Sequence, residues 1–213
     1  MQTNAGNPPP AKPAKAEFSR VDEWVHRYRA HWTYKRLRPW LNHGDRVLSL
    51  GAGDCRVDSM LAQEAGCEVV SVDVQDFNET CRPLILYDGT RLPFKDGVFD
   101  AVLIIFALHH AEDPRPVLME AQRVCRRRLI VFEDAIEGQW DRLVFRGFHR
   151  FLEWSQGIPR PHHEWPPARW STLATELGLT ERWQGVIGRQ MGYLASRNIA
   201  FVWEIPTQPT ACR

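Results

Sequence analysis

Between Arg46 and Glu133 the hydrophobic and polar positions alternate between two periods. Short apolar runs with strand character, Arg46–Leu50, Glu68–Val74, Ala101–Ala107 and Leu129–Glu133, are separated by stretches with helical spacing. The spacing predicts helices over Val57–Ala65 and Pro114–Cys125, the second with proline in its first turn. Ala101–Ala107 is almost wholly apolar, as a central parallel strand covered on both faces must be. This β-α-β rhythm predicts an α/β fold with a doubly wound sheet.

Outside that stretch the pattern changes. From Phe18 to Leu41, residues Val21, Trp24, Val25, Tyr28, Trp32 and Leu37 roughly follow a 3.6-residue period, and Pro39 marks the end of the helix they predict. Residues 135–169 are rich in aromatics, histidine and proline, and read as an insertion. A helix over Trp170–Leu177 with Gly178 as its C-cap follows, then strands near Thr180–Ile187 and Asn198–Ile205. Residues 1–15 have almost nothing to bury and read as a disordered tail, leaving 16–213 as one domain with a cap helix over 16–41.

Composition narrows the classes. At 213 residues, 44% hydrophobic and 25% charged, the chain can build one core and is not broadly disordered. A formal charge of +1 disfavours a strongly basic nucleic-acid binder. No apolar run reaches the ~18–20 residues of a membrane helix. No secretory signal is expected from the polar start. The cysteines, Cys55, Cys67, Cys81, Cys125 and Cys212, are odd in number and form no C-x-x-C pair, so a disulfide framework is not expected and a cytoplasmic setting is. The basic excess is local: Arg27, Arg29, Lys35, Arg36 and Arg38 interleave with Trp24, Tyr28, Trp32, Tyr34 and Trp40. They suit either contact with nucleic acid or a membrane surface, or a lid helix that packs its aromatics and exposes its charges.

Three segments carry candidate chemistry. In Val47–Ala62 a buried strand runs through Gly51-Ala52-Gly53 into a helix. Glycines there allow a tight turn and close approach of a ligand to the backbone, and the helix start offers free N–H groups. In Val69–Val74 the acidic Asp73 closes a strand, where a carboxylate can accept from both hydroxyls of a ribose or cap the next turn. In Tyr87–Val124 an Asp-Gly pair, Leu-Pro-Phe, Phe-Asp-Ala-Val, His-His and Asp-Pro follow in order. A nicotinamide-binding fingerprint would need a small residue where Arg56 stands.

Together the three segments resemble the class I S-adenosylmethionine-dependent methyltransferases, most closely the small-molecule branch that includes quinone-biosynthesis enzymes. The resemblance implies a three-layer α/β/α sandwich, Rossmann-like, with a mostly parallel seven-stranded sheet whose last strand is antiparallel. It implies S-adenosylmethionine as cofactor, S-adenosylhomocysteine as product and a small-molecule methyl acceptor. It would set Gly51, Ala52 and Gly53 along the methionine part of the cofactor and Asp73 on the ribose. Asp88 would face the adenine amino group, with Gly89 and Leu92 beside the ring. Phe106 and Ala107 would lie near the sulfonium, and His109 and His110 match a histidine pair common after that strand. The chain departs from the pattern at Ser49, where the family usually has Asp, and at Cys55, where it usually has a third glycine. Arg126-Arg127-Arg128 replaces a Pro-Gly-Gly turn, a change expected to alter only a surface turn.

The acceptor side is less constrained. His109 or His110 could be a general base, or could shape the strand end and pack. Glu133 and Asp134, at the end of the fifth strand predicted by the family pattern, could orient an acceptor hydroxyl or amine, or lie in a solvated loop. Trp140, His149 and Trp154 of the insertion could wall a pocket for an apolar or aromatic acceptor, or belong to a small core of their own. No metal is expected, since the adjacent His162, His163 and Glu164 are a poor ligand set. The other readings are a methyltransferase on RNA or protein using the basic helix, and a catalytically silent cofactor-binding protein.

Overall fold

The structure is a computed structural model and describes residues 20–190 and 197–206. The tail expected over 1–15, the first residues of the cap helix and Cys212 lie outside the described residues. Seven strands form one sheet: β1 (Arg46–Leu50), β2 (Glu68–Asp73), β3 (Leu84–Leu86), β4 (Phe99–Ile105), β5 (Cys125–Asp134), β6 (Thr180–Gly188) and β7 (Asn198–Glu204). Their order is β3-β2-β1-β4-β5-β7-β6. The five strands from β3 to β5 pair in parallel, and β7 is antiparallel to both of its neighbours.

Period-two alternation divides the sheet's side chains between two cores. Leu48, Leu50, Val102, Ile104, Leu129 and Val131 point to the face covered by α3 (Pro114–Val124) and α5 (Pro167–Glu176). Val47, Ala101, Leu103, Ile130 and Phe132 point to the face covered by α1 (Arg20–Leu37) and α2 (Arg56–Gln63). Because both faces are covered, β4 is apolar at nearly every position. α3 starts where Asp113 accepts the Arg115 N–H, with Pro114 in the first turn.

Three elements differ from the sequence expectation. β3 has only three residues, too few to show a period. Residues 139–156 of the insertion form a fourth long helix, α4 (Gln139–Gln156), ended by Gly157 in the left-handed region. Arg126, Arg127 and Arg128 are not a surface turn: β5 begins at Cys125 and includes them. Arg126 pairs with Asp100 at 2.7 Å and Arg127 with Asp45 at 2.6 Å, so the charges are held across the sheet's lower edge.

α1 packs only part of its aromatic set and engages some of its arginines. Trp32 and Tyr34 are buried, while Trp24 and Tyr28 stack on each other in solvent. Arg36 lies over the Trp32 ring at 3.7 Å and donates to the Ile187 carbonyl at 2.7 Å, and Arg38 donates to the Leu41 carbonyl. Among the described residues no helix is long and apolar enough to cross a membrane.

Candidate active site

β1 and β4 lie side by side at the point where the strand order reverses, and the crevice past their C-terminal ends is where open α/β sheets bind ligands. A cavity of about 1130 Å³ opens there. One end is lined by Gly51, Ala52, Gly53, Asp73, Asp88, Gly89, Phe106 and Ala107; the other by Asp134, His109, His110 and His149.

The glycine turn is shaped by contact. Gly51 has φ +77°, and a Cβ there would stand 2.6 Å from the Ala107 Cβ. Gly53, at φ +54°, faces open space, so its backbone is bare to the cavity. Asp73 ties this turn to the end of β2. Its Oδ2 accepts the Gly53 N–H at 2.9 Å, and its Oδ1 accepts the Val74 and Gln75 N–H groups at 2.7 and 3.2 Å. Burial raises the Asp73 pKa, against the pull of those three N–H groups. Cys55 and Phe106 both sit at positive φ without being glycine, at 59° and 54°. The first explains why a glycine suits that position, and both place backbone strain beside the cavity.

Asp88 is an exposed turn cap at the cavity's rim. Its Oδ1 accepts from Thr90 N, Thr90 Oγ1 and Arg91 N. Leu92 is corrected: it is buried in the core against α3, with its N–H donating to Glu120, and does not line the cavity. Trp140 and Trp154 also lie elsewhere, exposed on the outer face of α4, because the helix turns its Phe145, His149 and Leu152 side inward. Glu133 is in β5 and fully buried behind His109 rather than in a solvated loop.

His109 and Glu133 form a buried pair. The His109 Nδ1 lies 2.5 Å from Glu133 Oε2, and Glu133 Oε1 accepts the Leu108 N–H at 3.0 Å. Burial pulls the His109 pKa down, but the Glu133 charge and hydrogen bond, with Asp134, outweigh it, and the net direction is up. Burial, reinforced by His109, pushes His110 down to about 3. Burial, with His109 and His110 adding to it, pushes His149 down to about 2. At neutral pH those two imidazoles are neutral.

Sequence reasoning missed the roles of Arg29, Gln190, Asn198, Arg56 and Asp58. Arg29 of α1 reaches the same cavity, donating to Gln190 Oε1 at 2.9 Å beside the Phe148 ring. Gln190 in turn donates to Thr33, and Asn198 donates to Asp134. No local motif marks these residues, because they meet only through the fold. Arg56, the residue that spoils a nicotinamide fingerprint, latches α1 onto the glycine turn. It grips Glu23 with two bonds of 2.9 and 2.6 Å and Glu79 with one of 2.9 Å.

Asp58 is the last of these, and it bears on Ser49. In the cavity wall its carboxylate accepts the Ser71 hydroxyl at 2.5 Å and bonds to Ser49. A buried carboxylate is thus present beside Ser49, supplied from α2 instead of β1. Burial pushes its pKa up to about 6, against the two serine bonds. Because the folded value lies above the ~3.9 of an unfolded chain, the folded state binds the proton more tightly. The resulting stability is full below about pH 4 and is lost as pH rises through about 6, a swing of about 3 kcal/mol. Asp58→Asn should remove that swing and stabilise the protein above about pH 7, read from urea midpoints at about pH 5 and pH 7.5. Equal pH slopes in the two proteins would refute the assignment.

The cavity fits S-adenosylmethionine. Gly51, Ala52 and Gly53 line it, the Asp73 carboxylate faces it with acceptor capacity beyond its three N–H partners, and Phe106 and Ala107 line the wall beside Gly51.

Comparison with known proteins agrees. Residues 48–131 match the family described as Methyltransferase domain. A demethylmenaquinone methyltransferase of Mycobacterium marinum is 36% identical over 116 residues, 50% of this chain and 48% of that protein. The chain thus spans about half the length of the curated relatives it matches. Among solved structures, a chain of the complex between the Haloferax volcanii Trm112 methyltransferase activator and a methyltransferase superposes with TM-score 0.67 at 19% identity, covering 89% of this chain and 97% of that one. The magnesium protoporphyrin IX methyltransferase of Synechocystis, solved with bound S-adenosylhomocysteine, gives 0.62 at 16%, covering 90% and 89%. These likenesses concern the fold. Residues 48–131 match the methyltransferase domain, and the seven-stranded sheet that extends beyond them has the Rossmann-like fold of solved S-adenosylmethionine-dependent methyltransferases.

Proposed function

We propose that the protein transfers the methyl group of S-adenosylmethionine to a small, apolar or aromatic acceptor, releasing S-adenosylhomocysteine. The observation that carries this reading is the single cavity that joins the glycine cradle to the imidazole cluster. The cofactor supplies a methyl group made electrophilic by its sulfonium. The chain's own residues bind, orient and exclude water. Gly51, Ala52 and Gly53 present backbone to the methionine part, Asp73 accepts from the ribose, and Asp88 and Gly89 stand at the adenine end. Phe148 and Leu152 of α4 supply apolar wall to the acceptor lobe, and His109, His110, His149 and Asp134 supply its polar end. The relatives named demethylmenaquinone methyltransferases support an acceptor of this kind.

Calorimetric titration with S-adenosylmethionine and S-adenosylhomocysteine, beside melting curves, tests the reading. Ligand at ~100 times its dissociation constant adds about 2.7 kcal/mol, roughly a 5–10 °C rise in melting temperature for a domain of this size. Both ligands should bind, nicotinamide dinucleotides should not, and turnover should appear in an acceptor screen begun with apolar aromatics. Binding of neither ligand would overturn the proposal. Binding without turnover of any acceptor would favour a silent cofactor-binding protein.

A further inference from the structure

Three imidazoles converge at the acceptor end of the cavity. His109 and His110 sit on the short 3-10 turn after β4, and His149 reaches in from α4. One ring nitrogen of each lies within 4.8 Å of the others. The ring centroids are 4.3, 5.0 and 5.2 Å apart.

Each ring of the adjacent pair is held from outside and left bare inside. The Nδ1 of His109 is taken by Glu133, and its Nε2 is buried without a partner. The backbone of Pro159 and Arg160 hydrogen-bonds to the His110 ring, whose Nδ1 is buried without a partner. Both nitrogens of His149 are buried without partners. A buried polar atom left unpaired is costly, and four of them in one place call for a common partner. One cation bound by the three rings would pair the inward nitrogens.

We propose that His109 Nε2, His110 Nδ1 and a ring nitrogen of His149 bind a divalent transition-metal ion of the Zn2+ type at the acceptor end of the cavity, with Glu133 as the carboxylate behind His109. A carboxylate on the far nitrogen of a ligating histidine fixes the ring's orientation and raises its basicity. Imidazole selects Zn2+ and its transition-metal neighbours over Mg2+ and Ca2+, which take oxygen ligands. Nitrogens at about 2.0–2.1 Å from a tetrahedral ion stand roughly 3.3 Å apart, so the rings need close by no more than about 1.5 Å. Three protein ligands leave one position open, the arrangement of a catalytic rather than a structural site. That position faces the cavity and would take an oxygen or nitrogen of the acceptor. The inference deepens the proposed function, on which only this last assignment rests. The adjacent pair His162-His163 is not the site: His163 bonds to the Glu112 carbonyl, and Glu164 pairs with Arg146.

The test is a titration of the chelator-treated, full-length protein with Co2+ and then Zn2+, followed by calorimetry and visible absorption. S-adenosylhomocysteine binding is measured on the same samples. One Co2+ should bind with the strong visible bands of a four-coordinate site and be displaced by Zn2+. His149→Ala should weaken Zn2+ binding by about 100-fold or more while sparing S-adenosylhomocysteine binding, and Glu133→Gln should weaken it by about 10–100-fold. Absence of Co2+ and Zn2+ binding in a protein that still binds S-adenosylhomocysteine would overturn the metal site and leave the methyltransferase reading standing. Binding that survives His149→Ala but is lost on replacing His162 and His163 would also overturn it. Metal binding without S-adenosylhomocysteine binding would support the site and count against the methyltransferase reading alone.

Discussion

Asp73→Ala is expected to weaken S-adenosylhomocysteine binding by about 100-fold, or about 2.7 kcal/mol, with the overall fold retained. The magnitude follows from what the carboxylate does. Its two oxygens already hold the Gly53, Val74 and Gln75 N–H groups, so it keeps the glycine turn and the end of β2 in register. A ribose whose hydroxyls bond to the same oxygens gains charge-assisted hydrogen bonds worth about 1.5–3 kcal/mol each. Alanine removes the acceptor and loosens the turn that would carry the methionine part. Asp73→Asn keeps one acceptor oxygen without the charge and should fall between the two. Calorimetry on the three proteins, with circular dichroism to verify folding, decides the matter. Unchanged affinity in the alanine variant would remove Asp73 from the ribose role.

Glu133→Ala is expected to destabilise the fold by about 3–5 kcal/mol, the cost of stripping one partner from a buried pair. Both oxygens are engaged and neither reaches solvent: one holds the Leu108 N–H and the other His109 Nδ1. Removing them leaves two buried donors without acceptors, at the turn that carries both histidines. Glu133→Gln keeps one acceptor oxygen and should recover part of the loss. Urea unfolding of the three proteins measures this, and a cost below about 1 kcal/mol for the alanine variant would show that the pair is not coupled to the fold.

The departures from the family pattern acquire physical explanations. Ser49 does not leave the site without an acid, since Asp58 brings a carboxylate to Ser49 from the neighbouring helix. Cys55 occupies the left-handed region usually left to glycine, with its side chain wholly buried. Arg126 and Arg127 replace a flexible turn by ion pairs to Asp100 and Asp45.

Some of this was legible along the chain because it is local. Period-two apolar runs mark β1, β2, β4 and β5, since each buries a defined face in a covered sheet. The glycine turn and Asp73 are legible for the same reason: a strand end, a tight turn and a helix start are neighbours in sequence. The histidine end of the cavity was not. His149 is separated from His110 by α3, β5 and the first half of α4, and nothing near it in sequence distinguishes it from Trp140 or Trp154 on the same helix. Only the rotation of α4 against the sheet turns His149 inward and the two tryptophans out. Arg29, Asp58 and Glu133 likewise take their roles from partners on other elements. The sequence alone determined the central strands and the glycine turn, because backbone conformation and burial period are short-range. The tertiary structure decided the histidine end of the cavity, because charge pairing and desolvation depend on which distant side chains share a buried volume.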